Sequence, residues 1–209
     1  GGLLAEKYHF VVMSFSGMGE SEWRSQYDKN TFVEDVWGVV KETNLIKPVV
    51  VGHSFGGMVS LATADKYGDQ MSGLVLVDFV VRHPENHIEW YKNMPPSKPP
   101  KVRPTKEELV QRFRLMPPQE CQNQFLLDFI ADKSVRKTDQ GWSWTFDPST
   151  YDNLEVGNDQ HETLNKLSCQ VSFIYGENTM EFDTGNSIEE MKELLPEGSS
   201  IISLADAQH

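Results

Sequence analysis

Gly52-His53-Ser54-Phe55-Gly56 fits G-x-S-x-G, a spacing that can make a serine hydroxyl into a nucleophile. The motif does this only where a strand runs into it and a helix leaves it. The sharp turn between them then lifts Ser54 Oγ above the sheet edge, and its tightness calls for small residues on either side of the serine. The first N–H groups of the helix lack intrahelical acceptors and lie at the positive end of its dipole. They suit a developing oxyanion, and the N–H of Phe55 would be one such donor. A serine hydroxyl also needs a general base, and histidine titrates in the right range. Six histidines are present: His9, His53, His83, His87, His161 and His209. The imidazole in turn needs a carboxylate to hold its tautomer. Asp78, which closes one apolar run, and Glu177 and Asp183, which follow another, are the candidates.

The surrounding pattern supplies the required context. Phe10-Val11-Val12-Met13 reads as a buried strand, followed by a glycine-rich loop, Gly17-Met18-Gly19-Glu20-Ser21. Phe32, Val36, Val39 and Val40 give Thr31 to Thr43 a helical spacing. Val49-Val50-Val51 is a second strand and runs straight into the serine motif. Phe55 to Tyr67 reads as a helix closed by Gly68. Leu74-Val75-Leu76-Val77 is a third strand, Val171 to Tyr175 a fourth, and Ser200 to Leu204 the last. These strands are apolar throughout rather than alternating, as in a parallel sheet covered on both faces. Strand–helix alternation of this kind predicts an α/β, doubly wound, mostly parallel sheet.

The alternation breaks between Arg82 and about Leu167. A proline-rich joint, Pro95 to Pro100, opens this stretch. Thr105-Lys106-Glu107-Glu108 is a capping box for a helix through Arg114, and Phe125, Leu126, Phe129 and Ile130 mark a second amphipathic segment. An aromatic cluster follows at Trp142, Trp144 and Phe146, either lining an apolar pocket or forming a local core. A mostly helical insertion at 82–167 is predicted, with 1–81 and 168–209 as the core. After it, Ser187-Ile188-Glu189-Glu190 opens a helix to Leu195.

The chain has 209 residues, 38% of them hydrophobic and 24% charged, enough to bury a core without staples. With 19 basic and 31 acidic residues its net charge is −12, which argues against nucleic acid or an anionic membrane as the main partner. Two cysteines, Cys121 and Cys169, are too few for a disulfide framework or a structural zinc site and fit a reducing, cytoplasmic address. No stretch approaches the roughly 18 apolar residues of a membrane span. His83-Pro84-Glu85-Asn86-His87 matches neither metalloprotease spacing, and Pro84 disfavours a helix through it. There is no P-loop, and Gly17-Met18-Gly19 lacks the third glycine of a dinucleotide fingerprint. No metal and no cofactor are therefore expected.

On the serine motif and the order of strands around it, the chain resembles the α/β-hydrolase superfamily over Leu3 to Asp78 and again over Val171 to His209. Gly17, Gly19 and Ser21 are similar to that family's G-x-G-x-S loop, and the insertion sits where the family places a cap. Arg112 to Leu115, and Gly141 to Pro148, resemble caps of uncharacterised bacterial members. The resemblance implies His209 as the base, because the family keeps its histidine after the last strand. The family's usual acid follows the strand that here ends at Gly176, yet the matching position is Thr179. Some members place the acid one strand earlier, which is Asp78, with Glu177 as the alternative. The family's second oxyanion donor comes from a loop before the first strand seen here. The resemblance thus leads us to expect a chain lacking its N-terminal strands and a C-terminal helix.

The implied activity is hydrolysis of a small or medium ester, thioester or lactone with an apolar part, through an acyl-enzyme on Ser54. Relatives with an aspartate at the elbow, dehalogenases and epoxide hydrolases, do not match. Carbon–carbon hydrolysis and perhydrolysis use the same parts. A non-catalytic ligand-binding protein on this fold is the rival reading, motivated by Thr179, and a cofactor-free oxygenase or lyase is a third. Asp78 within hydrogen-bond reach of His209 would favour catalysis over binding alone.

Overall fold

The computed structural model describes residues 5–86, 96–152, 154, 159–179 and 187–209. Four parallel strands form the sheet: β1 (Val49–His53), β2 (Gly73–Val77), β5 (Gln170–Gly176) and β6 (Ser200–Leu204). They lie side by side in that order. The helices are α1 (Lys29–Glu42), α2 (Phe55–Tyr67), α3 (Lys106–Val110), α4 (Gln124–Lys133), α5 (Gln160–Lys166) and α6 (Ser187–Leu194). A separate antiparallel pair, β3 (Val135–Thr138) and β4 (Gly141–Trp144), lies between β2 and β5 in the chain.

Local chemistry explains the helix starts. Asp28 caps α1 by accepting from the Thr31 N–H, and Asn123 caps α4 by accepting from Leu126. Thr105 accepts from Glu108 as the capping box predicts, although α3 stops at Val110, short of Arg114. The helix α2 spans the predicted residues, but Gly68 stays right-handed at φ −54°, so it is not a left-handed stop. The chain instead continues into a 3₁₀ turn, Gly68–Gln70.

The main core lies between the sheet and its helices. Leu74, Leu76, Val171 and Phe173 pack with Trp37, Leu61, Leu164 and Met191. Trp37 stacks on Tyr67 at 4.2 Å between ring centroids and ties α1 to α2. A second cluster joins Tyr27, Phe32, Val36, Met58, Val59 and Leu154.

Two strand expectations are corrected. Phe10 to Met13 forms no strand, and Val12 is 77% exposed. Strand propensity needs a ladder partner to become a strand, and these residues find none among the described residues. Coverage on both faces holds for β2 and most of β5, whereas β1 is exposed at Val49, Val51 and His53 and β6 at every residue.

Within 82–167 the described residues hold α3, α4 and α5, together with the β3–β4 hairpin, which the helical expectation missed. Trp142 and Trp144 alternate along β4. The Lys106 ammonium lies 5.6 Å from the Trp142 ring centroid, and Phe113 lies 6.4 Å from Trp144. Phe146 instead contacts Tyr151, which meets Phe55 edge-on at 5.3 Å. The segment is fastened to the loop before α1. Asp147 accepts from the buried Tyr27 hydroxyl at 2.7 Å, and its own N–H donates to Gly17 O.

Candidate active site

Register places the chemistry. β1 and β2 pair with His53 opposite Val77, so the next residues, Ser54 and Asp78, emerge together at the carboxyl edge. The Ser54 N–H donates to Val77 O at 3.0 Å, and the Asp78 N–H to Ile174 O at 2.7 Å. Both residues have positive φ, 53° for Ser54 and 48° for Asp78. Non-glycine residues rarely hold such backbone, and it persists here because neighbouring strands pin each turn.

The elbow is as tight as its motif requires on one side. A Cβ at Gly52 would lie 2.1 Å from Gly56 O and 2.3 Å from Ser60 Oγ. Position 56 is roomier than expected: a Cβ there would meet only Phe15, at 4.0 Å. Gly57 lies close against the segment after β2, since a Cβ there would strike Phe79 Cβ at 2.4 Å. Phe55 is the first residue of α2, so its N–H is among the first-turn donors without an intrahelical acceptor.

His209 arrives from the other side of the sheet. The Glu177 N–H donates to Leu204 O and the Asn178 N–H to Ala207 O, so the turn after β5 holds the segment after β6. The Glu120 N–H donates to Gln208 Oε1 at 3.2 Å and adds a contact from the 82–167 segment. His209 then lies with Nε2 2.8 Å from Ser54 Oγ and Nδ1 2.6 Å from Asp78 Oδ2. The side chains of Asp78 and His209 are both almost fully buried.

The proton positions follow from donor and acceptor capacity. An ionised carboxylate only accepts, so Nδ1 carries the proton donated to Asp78, and Nε2 of the neutral ring accepts from the Ser54 hydroxyl. Burial pushes the Asp78 carboxyl up. Hydrogen bonds from His209, then Thr179, then the Gly176 N–H pull it down and leave it below the ordinary aspartate range. Thr179 Oγ1 donates to Asp78 Oδ2 at 2.8 Å, and the Gly176 N–H donates to Oδ1 at 3.3 Å.

Of the residues singled out from sequence, Ser54, Phe55, Asp78 and His209 come together. Glu177 is exposed in the turn after β5, and Asp183 lies outside the described residues. His9 is exposed in the segment before the glycine-rich loop. His83 lies 6.5 Å from His161 between ring centroids, and His87 lies outside the described residues. His53 is exposed, with its ring 4.7 Å from that of His209. His53, Asp78 and His209 offer ligand atoms within 4.8 Å of one another. Both ring nitrogens of His209 are already engaged, so a cation there would have to displace Ser54 or Asp78. Sequence reasoning missed the donor role of Thr179, although the departure at that position was its signal.

Comparison with known proteins shows the family. The chain matches the model of the alpha/beta hydrolase fold family over residues 2–209. It belongs to that family. A carbendazim hydrolyzing esterase of Nocardioides sp. (strain SG-4G) is 35% identical over 72 residues, which is 34% of this chain and 29% of that protein. A 2-(acetamidomethylene)succinate hydrolase of Mesorhizobium japonicum is 27% identical over 77 residues, 36% of this chain and 28% of that protein. The matched stretches thus span under a third of these curated relatives. Among solved structures, an esterase from Mycobacterium tuberculosis superposes with a TM-score of 0.72 at 19% identity, covering 94% of this chain and 66% of that one. At that identity the likeness concerns the fold. No described helix is long and apolar enough to cross a membrane.

Proposed function

We propose that this alpha/beta hydrolase cleaves a small or medium carboxylic ester, thioester or lactone through an acyl-enzyme on Ser54. The observation that carries the reading is the continuous contact from Ser54 Oγ to His209 at 2.8 Å and from His209 to Asp78 at 2.6 Å. Ser54 Oγ attacks the carbonyl carbon while His209 Nε2 takes its proton. The carbonyl π electrons move onto oxygen, where the Phe55 N–H donates to the oxyanion; one such donor is worth about 2.7–4 kcal/mol. Collapse breaks the bond to the leaving group, which takes the proton from His209. Water then repeats the sequence on the acyl-enzyme and releases the acid and free Ser54. Asp78, held ionised, keeps the Nδ1 tautomer and stabilises the imidazolium.

Relatives named as an esterase and as a hydrolase support the reaction class. The contact of Tyr151 with Phe55 supports an apolar substrate part placed under the 82–167 segment, which acts as a cap in this reading. The two free cysteines suit the cytoplasmic address expected from sequence. A purely ligand-binding role is disfavoured by the buried Asp78–His209 contact, which a binding scaffold has no need to keep.

Fluorophosphonate labelling tests the reading. Labelling should be abolished by Ser54→Ala, fall steeply in Asp78→Asn and persist in Glu177→Gln. Loss in Glu177→Gln with retention in Asp78→Asn would move the acid to the turn after β5. Labelling that survives Ser54→Ala would discard the mechanism.

A further inference from the structure

Asp78 Oδ2 serves two donors at once, His209 Nδ1 at 2.6 Å and Thr179 Oγ1 at 2.8 Å. Among the described residues the other oxygen takes the longer contact from the Gly176 N–H, at 3.3 Å. A carboxylate rotates about a broad, roughly two-fold terminal torsion and does not hold its own plane. The Thr179 hydroxyl is therefore a tighter restraint on the carboxylate than the Gly176 N–H.

Thr179 is also well placed to act as a restraint. Its χ1 is stiff because the side chain is β-branched. Its backbone closes a turn, with the Thr179 N–H donating to Gly176 O at 3.2 Å. In the same turn the Asn178 N–H donates to Ala207 O at 2.9 Å, two residues before His209. One short turn thus holds the carboxylate through a side chain and the histidine segment through its backbone.

We infer that Thr179 is a positioning residue whose hydroxyl fixes the Asp78 carboxylate plane for His209. The inference rests on the Ser54–His209–Asp78 reading above. Packing alone would need the shape of threonine, whereas this role needs its hydroxyl, and two substitutions separate these requirements. Thr179→Val keeps the shape and removes the donor. Thr179→Ser keeps the donor and removes the methyl.

The test measures kcat, KM and the pH profile for p-nitrophenyl acetate hydrolysis, alongside thermal melts. Asp78→Asn is the control. Thr179→Val should lower kcat by about tenfold, as expected for a lost hydrogen bond to a charged group, with KM within about twofold. Its pH profile should differ from the parent's, because the carboxylate that faces His209 loses one of its donors. Thr179→Ser should stay within about threefold of the parent, with the parent's pH profile. A Thr179→Val variant equal to the parent in kcat and pH profile overturns the inference. So does a Thr179→Ser variant that falls as far as Thr179→Val. If Asp78→Asn itself keeps parental activity, the underlying triad reading fails. If Asp78→Asn is inactive while Thr179→Val is parental, only the role of Thr179 fails.

Discussion

The turn after β2 and the turn after β5 leave neighbouring strands at the same sheet edge, and each carries an acidic side chain. Asp78, in the first, is 3% exposed and accepts hydrogen bonds from His209, Thr179 and Gly176. Glu177, in the second, is exposed, and its backbone N–H secures Leu204. The two turns have divided the work. One supplies the carboxylate, and the other supplies the donors and backbone contacts that hold it against the histidine. Delivery into the buried strand end, rather than position in the usual chain order, is what sets Asp78 against His209.

The largest expected break in that comparison is Asp78→Asn. Asparagine offers no charge to the imidazolium and favours the wrong tautomer, so kcat should fall by about 10³–10⁴-fold on p-nitrophenyl acetate. A smaller fall, within tenfold, would mean that another carboxylate orients His209.

A different substitution attacks the frame from which Ser54 hangs. Gly52→Ala drives a Cβ into Gly56 O at 2.1 Å and should cost about 3 kcal/mol. That corresponds to a Tm lower by roughly 6–12 °C for a chain of this size. Calorimetry of the variant would check it, and an unchanged Tm would show that the elbow can relax.

Acid titration sharpens the contrast more gently. The folded carboxyl of Asp78 lies below its ordinary value, so its contribution to stability is present above the unfolded aspartate pKa of about 3.9. It is lost as pH falls through the folded value. Melts from pH 7 down to pH 3 should therefore show a component, confined to below about pH 4, that Asp78→Asn lacks and Glu177→Gln retains. The smallest effect belongs to Glu177→Gln, with kcat and Tm near the parent, as for surface substitutions generally. A loss above tenfold there would reverse the comparison.

Much of the frame was legible in the chain. Four of five expected strands and the helix following Ser54 form where apolar runs, caps and the serine motif placed them. Phe10 to Met13 failed because its apolar run promised a strand that only a paired neighbour could make. The β3–β4 hairpin is masked in the sequence because Trp142, Trp144 and Phe146 also read as an aromatic cluster. Their alternation along the chain, a period-two signal, was the feature to read. Thr179 was noticed as a departure, but nothing near it in sequence says what its hydroxyl meets.

The physical reason is range. The Ser54 elbow is written in a strand, a turn and a helix that follow one another directly, so spacing and residue type were enough to place it. The contacts that bring His209 to Ser54 and Asp78 to His209 join residues 155 and 131 positions apart, and Thr179 reaches Asp78 across 101. Only the parallel register of β1, β2, β5 and β6 brings those strand ends to one edge. Only burial there decides that Asp78 rather than Glu177 faces the histidine.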